Sequence, residues 1–146
     1  MGYASPGPAL KFARKTLTLT GAAGAGQSAS PISLFTITGM VSVALIVGRC
    51  TSSLVSAGGG TIALGVTGAT TLFIGATTGT AITTSAMIWA STTPNAQGIA
   101  APAALKDIVI AANVIGTVAV ADITAGVIEF DVYYLPLSAG AGLVAA

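Results

Sequence analysis

The sequence contains no histidine and only one cysteine, Cys50. Without an imidazole, sites in which histidine activates a serine or cysteine nucleophile are excluded, and so is zinc held by histidine. A single cysteine cannot form an intrachain disulfide, and within the apolar run VALIVGRCTS (43–52) we expect Cys50 to be a buried small hydrophobe. An intermolecular disulfide and a reactive thiol are the alternatives.

Charged residues are also few. Only 6% of the residues are Asp, Glu, Lys or Arg, where soluble proteins carry about a quarter, and none lies between Arg49 and Lys106. The net charge of +1 provides no field that would attract nucleic acid or a membrane surface. Because a surface with so little charge gives little repulsion between molecules, we expect a chain that works while packed against neighbouring proteins.

The uncharged stretch GVTGATTLFIGATTGTAITT (65–84) is long enough for a membrane-spanning helix but has the composition of strands. Thr and Gly interrupt it every few positions, and its β-branched residues fit a pleated surface better than a helix. Alternation with period two is clearest in GVIEFDVYYLPL (126–137). There the apolar residues share one face, and Glu129, Asp131 and Tyr133 share the other. We therefore predict strands rather than a spanning helix.

Strand character recurs along the chain at regular intervals, separated by turn-like segments rich in Gly, Ala, Ser and Thr. The candidate strands lie near residues 11–20, 32–38, 40–50, 61–66, 70–75, 81–89, 107–112, 115–121 and 126–136. The pattern predicts an all-β fold, an antiparallel, jelly-roll-like β-sandwich of about eight to ten short strands. We expect residues 1–9 to form a flexible N-terminal arm, residues 10–146 a single sandwich domain, and residues 91–104 a long irregular connection.

The segment GAAGAGQS (21–28) has glycines at the spacing of a phosphate-binding loop, but Gln27 stands where that loop needs lysine. A strand-like segment follows it, in place of the helix whose N-terminus would face a phosphate. We therefore predict a hairpin or loop without a phosphate site.

Glu129 and Asp131 are the closest pair of carboxylates, on one strand face and about 7 Å apart. Such pairs serve glycoside hydrolysis, which also needs a cleft and sugar-stacking aromatic residues. Two carboxylates at this spacing more often belong to a strand surface that faces solvent or a partner. Asp107 and Asp122 could contribute to a calcium site, but they lack the clustered oxygen ligands that calcium requires. We predict no catalytic residue, no cofactor and no metal site.

Three of the five positive charges, Lys11, Arg14 and Lys15, lie next to the predicted arm. One hypothesis is a partner-binding tether that becomes ordered on an acidic neighbour. The alternative is a strand edge whose charges prevent pairing with other chains.

Two segments resemble small structural proteins encoded in the head-gene modules of tailed bacteriophages. ADITAGVIEFDVYYLPLSAGAG (121–142) resembles their closing strand, and SPISLFTITGMVSVALIVGRCTSSL (30–54) is similar to their opening strands. The resemblance implies a capsid cement or decoration protein with a jelly-roll-like sandwich, made in the host cytoplasm and bound to major capsid subunits on the virion surface. It carries no functional residues over to this chain.

The leading hypothesis is thus a non-enzymatic structural protein that binds the major capsid protein and copies of itself, as a dimer or trimer. We expect no partner that is a nucleic acid, a membrane or a small-molecule substrate. The second hypothesis is a receptor- or carbohydrate-binding module of a tail or spike, for which Tyr133, Tyr134 and Trp89 are the available aromatic residues. A self-assembling or membrane-embedded β-protein is the third. For the stretch 65–84 we expect burial partly in the core and partly against a neighbouring subunit.

Overall fold

The computed structural model describes residues 9–103 and 107–146, so most of the predicted arm lies outside the described residues. Within the described residues the chain forms ten β-strands and one short 3₁₀-helix (Gly79–Ala81). The strands are β1 (Lys11–Thr18), β2 (Ile32–Thr38), β3 (Val41–Val55), β4 (Thr61–Val66), β5 (Ala69–Thr78), β6 (Ile88–Trp89), β7 (Ile108–Ile110), β8 (Val114–Ala119), β9 (Ala125–Pro136) and β10 (Gly142–Ala145).

These strands form two five-stranded antiparallel sheets. Sheet I has the order β1–β9–β3–β6, with β7 also pairing with β3, and sheet II has the order β10–β2–β8–β4–β5. Without β7 and β10, the order is that of an eight-stranded jelly roll, in which the chain passes repeatedly from one sheet to the other. The prediction of an all-β, jelly-roll-like antiparallel sandwich is confirmed.

Side chains alternate along the longest strands as their period of two requires. In β9 the residues Ile128, Phe130 and Val132 point inward and are fully buried, whereas Glu129 and Asp131 point outward. The inward residues of both sheets belong to one hydrophobic cluster, so the two sheets share a single core.

Trp89 is fully buried and joins the two sheets. Its ring packs against Phe130 with the centroids 5.9 Å apart in an edge-on arrangement. Its Nε1 donates a hydrogen bond of 3.0 Å to Oγ1 of Thr77, the buried polar residue on β5 of the opposite sheet. Gly48 makes room for the indole, because a Cβ there would lie 3.1 Å from Trp89 Cε3. The indole ring is therefore held by packing, and its N–H group is paired in a hydrogen bond to the opposite sheet.

The uncharged stretch 65–84 contains the end of β4, the whole of β5 and the 3₁₀-helix. Its large apolar residues Phe73, Ile74 and Ile82 are buried, which confirms that part of the stretch lies in the core. The tetrapeptide Gly-Ala-Thr-Thr occurs twice in this stretch, at residues 68–71 and 75–78. Apart from Gly68, both copies lie in the single bulged strand β5, so they are not repeated folding units.

The structure departs from the predicted strands in three main places. Strand β3 continues to Val55, five residues beyond the strand predicted near 40–50. Of the strand predicted near 81–89 only Ile88–Trp89 forms, because a 3₁₀-helix and a turn at Thr83–Ala86 precede it. Strand β10 was not predicted, since Gly142–Ala145 is short and follows a glycine-rich segment whose pairing with β2 is non-local.

The segment 21–28 is a tight turn, as predicted. Its main chain closes on itself through hydrogen bonds from Thr20 N and Gly21 N to Ala25 O, at 2.7 and 3.0 Å, and no helix follows. The segment predicted to be irregular also has no strand between Ala90 and Pro102, and it connects β6 to β7. Within the described residues, none of the helices has the length and apolar character needed to cross a membrane.

Candidate interaction surface

The outward side chains of β1, β9 and β3 form a continuous surface, which we call the outer face of sheet I. The antiparallel register places them in three cross-strand rows, which are Phe12–Tyr133–Leu45, Arg14–Asp131–Val47 and Thr16–Glu129–Arg49. Because directly opposed side chains on a sheet are in contact distance, each row is a local unit of interaction.

The second and third rows hold a network of ion pairs. Arg14 donates two hydrogen bonds to Asp131, from Nε at 2.6 Å and Nη2 at 3.0 Å, and its Nε lies 3.6 Å from Glu129. Arg49 donates to Glu129 from the other side. The side-chain hydrogen bond to Asp131 raises the pKa of Arg14 above its usual value. Each carboxylate thus has an arginine partner, and this compensation accounts for two acids standing close together on one strand.

The first row is aromatic and exposed. The rings of Phe12 and Tyr133 are 5.1 Å apart and tilted by 51°, with 48% and 43% of these residues exposed. The guanidinium carbon of Arg14 lies 5.4 Å from the centre of the Phe12 ring, within the range of a cation–π contact. Arg14 therefore links the aromatic row to the ion pairs.

Further apolar side chains extend this face beyond the aromatic row. Ser42 of β3 is aligned with Leu135 on β9 and with Val109 on β7, and Val109 is 55% exposed. One half of the outer face is consequently apolar and aromatic, and the other half is charged. Aromatic residues and arginine, both present on this face, are enriched at protein interfaces relative to the rest of a protein surface.

The three basic residues proposed as a tether all lie on β1 but not on one face. Arg14 belongs to the outer face and binds Asp131 of its own sheet. Lys15 lies opposite Phe130 in the register, on the other side of β1, and its Nζ donates to the main-chain oxygen of Ala146. Lys11 is exposed near the start of the strand. The tether hypothesis stays a prediction, and the structure adds that Arg14 and Lys15 each have a partner within the chain.

The aromatic residues available for contact differ from those that the sequence suggested. Trp89 and Tyr134 are buried in the core, so of the three candidates only Tyr133 is exposed. Phe12, which the sequence analysis passed over, stands beside it. The signal for Phe12 was present in its position two residues before Arg14, which places both side chains on the same face of a strand.

Cys50 is buried on β3, as predicted, and its thiol contacts the main-chain oxygen of Ser52 at 3.1 Å. Burial raises the pKa of this thiol. In the part of the chain that the structure describes, the acidic residues form no group that could hold a metal ion, and the surface has no pocket. What the structure offers for recognition is therefore an open face.

Comparisons with protein-family models, with curated proteins and with solved structures find no match to this chain.

Proposed function

We propose that this chain is a non-enzymatic structural protein of a virion, a cement or decoration subunit that binds the outside of a phage capsid and stabilises the shell. In this proposal its partners are the major capsid protein and copies of itself, as a dimer or trimer. It is located on the capsid surface after synthesis in the host cytoplasm.

The observation that carries the proposal is the outer face of sheet I. Phe12 and Tyr133 expose large aromatic area beside a fixed arginine, and aromatic residues and arginine are enriched where proteins bind one another. The described residues form no pocket on this face, which suits another protein surface better than a small molecule. Virion location rests on the resemblance of residues 30–54 and 121–142 to phage head proteins, and jelly rolls are common in capsid proteins.

In this proposal the protein stabilises the shell by burying surface at many equivalent contacts. A stable protein–protein interface buries roughly 1,200–2,000 Å² in total, and each Å² of apolar surface removed from water contributes about 25 cal/mol. Most of that gain is offset by the cost of ordering the partners. A subunit that contacts two neighbouring shell subunits adds this net binding free energy at every junction between them. Internal pressure must then break these contacts before the shell opens.

The first experiment measures copy number. Particles purified from the source on a density gradient are analysed by mass spectrometry for this chain and for the most abundant shell subunit. We expect a ratio of one or a simple fraction of one. A few copies per particle would indicate a component of a tail or spike. Absence of the chain from particles would contradict the proposal.

The second experiment tests the face itself. Shells stripped of this chain are reconstituted with wild type, with the double variant Phe12→Ala and Tyr133→Ala, or with Thr36→Ala on sheet II as the control. We expect wild type and the control to raise the temperature at which shells rupture, and the double variant to fail. Equal rupture temperatures with and without wild type would contradict the cement role.

A receptor- or carbohydrate-binding module of a phage tail or spike is the second candidate, favoured by the exposure of Phe12 and Tyr133. Aromatic rings of this kind stack on sugars, although the other two aromatic candidates are in the core. A specific hit on a glycan array that Tyr133→Ala abolishes would support this function over the cement role.

A further inference from the structure

One end of the outer face of sheet I collects exposed apolar side chains. The register aligns Leu135 of β9 and Val109 of β7 with Ser42 of β3, in the row beside the aromatic one. At the next position along this face, Leu137 N donates a hydrogen bond of 2.8 Å to Met40 O. Six of the ten large apolar residues that are exposed in the described part of the chain lie at this end, and we call them the apolar patch: Leu10, Phe12, Met40, Val109, Tyr133 and Leu137.

The patch has the size of a dimer contact. Its six residues expose between 41% and 56% of their surfaces. Because a large side chain has roughly 150–250 Å² of surface, the patch presents about 500 Å² to solvent. A stable interface takes about 800 Å² from each partner. The half-buried Leu45 and Leu135 and the row Arg14–Asp131–Val47 adjoin the patch on the same face, so a contact centred on the patch reaches that area.

The charges beside the patch complement those of a second copy. Arg14 and Asp131 stand in the row next to Tyr133, and Glu129 and Arg49 stand in the row after that. These two positive and two negative charges cancel, so two copies approach through this face without repulsion between net charges. Because a two-fold axis presents the same residues from both sides, each copy brings an arginine and an aspartate to the contact, and opposite charges can face each other.

A second copy also matches the twist of this sheet. Strands twist in one hand, and two sheets of similar twist pack face to face with their strands within about 30° of each other. The two longest of the described strands, β3 with 15 residues and β9 with 12, lie side by side in this face, so an identical sheet offers it a long surface of the same twist. The net charge of +1 gives little repulsion between whole chains. Size, charge and shape therefore favour the same partner.

We propose that two copies of this chain form a two-fold symmetric dimer through the apolar patch. The inference deepens the proposed function, on which its consequence for the shell rests, by assigning the contact between copies to one surface. A dimer carries two shell-binding surfaces, so it attaches more tightly than a single copy without any new contact. Loss of the dimer then accounts for the loss of shell stabilisation expected of the double variant Phe12→Ala and Tyr133→Ala.

The test compares two exposed valines on strands of different sheets. Val109→Lys places a charge in the patch, and Val144→Lys places the same charge on β10 of sheet II as the matched control, with 55% and 62% of the wild-type residues exposed. Each purified chain is analysed by sedimentation equilibrium. We expect wild type and Val144→Lys to be dimers at micromolar concentration. Val109→Lys is expected to have a dissociation constant at least about tenfold higher, because a two-fold contact buries two lysines.

A second patch variant and a second measurement separate folding from association. Leu137→Ser removes apolar area from the patch without adding a charge, at a position just after the end of β9. Because dimer formation stabilises the folded state by mass action, the melting temperatures of wild type and Val144→Lys should rise with protein concentration. Those of Val109→Lys and Leu137→Ser should rise less, while the far-UV circular dichroism of all four chains stays the same.

The outcomes separate this inference from the proposed function. Wild type that sediments as a monomer or as a trimer overturns the two-fold dimer, whereas the cement role is decided by the presence of the chain in particles. Equal dimerisation of wild type, Val109→Lys and Leu137→Ser places the contact elsewhere and overturns the assignment to the patch, as does a monomer produced by Val144→Lys alone. A dimer lost together with the circular-dichroism signal in both patch variants means that the patch supports the fold, and it overturns the inference too.

Discussion

The two sheets of this sandwich build their outer faces from different side chains. The charged residues that lie on described strands are all in sheet I, whereas the five strands of sheet II contain none. Sheet II exposes hydroxyl and small side chains instead, including Ser33, Thr36 and Thr38. The outer face of sheet II is therefore polar without charge, whereas sheet I places its charges beside exposed aromatic residues.

The edge strands show the same contrast. At the edge of sheet I, β1 carries three basic residues, which discourage pairing with another chain. At the edge of sheet II, β5 has neither charge nor proline, but it is bulged against β4 and its first residues fold over Gly65. A Cβ at Gly65 would lie 2.2 Å from the oxygen of Ala69. An irregular backbone thus protects the uncharged edge, as charge protects the other.

The largest expected effect comes from breaking the link between the sheets. Trp89→Ala removes the indole that packs on Phe130 and binds Thr77 of sheet II, and we expect a loss of about 3–5 kcal/mol in the free energy of unfolding. Thr77→Val keeps the packing but leaves the indole N–H unpaired, at a cost of about 1–3 kcal/mol. Denaturant unfolding measures both. A Trp89→Ala loss below that of Thr77→Val would contradict the central role of the indole.

A smaller effect is expected from the ion pairs of sheet I. A double-mutant cycle of Glu129→Ala and Arg49→Ala should give a coupling energy below about 1 kcal/mol, because Arg49 is exposed. Since salt screens exposed charges, the coupling should fall further in 1 M salt. A coupling that does not change with salt would indicate a pair shielded from solvent, and it would contradict the exposed position of Arg49.

The reactivity of the Cys50 thiol measures whether the core opens at the inner side of sheet I. Burial raises the pKa of its thiol, so its contribution to stability is present below the ordinary thiol pKa and is lost as the pH rises through the folded-state value. We expect little thiolate in the folded protein at pH 8 and slow labelling by a thiol reagent, with fast labelling after unfolding in guanidinium. Rapid labelling of the folded protein would show that the core opens at β3. Cys50→Ala removes this pH dependence and is the control.

The smallest effect is expected on sheet II. Thr36→Lys adds a charge to the outer face of the uncharged sheet and should change the free energy of unfolding by less than about 0.5 kcal/mol. Under the proposed function it should leave shell binding unchanged, whereas Phe12→Lys on sheet I should abolish it. If Thr36→Lys abolishes binding and Phe12→Lys does not, the shell contact belongs to sheet II.

Local pattern determined most of the strands of this protein, although not β10. Alternation with period two located β9 and assigned Glu129 and Asp131 to its outer face, because neighbouring residues of a strand point to opposite sides whatever the strand pairs with. The absence of histidine excluded imidazole chemistry without reference to any fold. The turn at 21–28 followed from its glycines and from the lack of a lysine and a helix.

Pairing over long distances in the chain was decided by the tertiary structure alone. Arg14 meets Asp131 only because β1 lies beside β9, and Phe12 meets Tyr133 by the same register. Trp89, a candidate for sugar binding in the sequence, is buried because Gly48 leaves space for it in the core. Sequence fixes which face a side chain takes within its own strand, and packing alone decides which residues stand next to it.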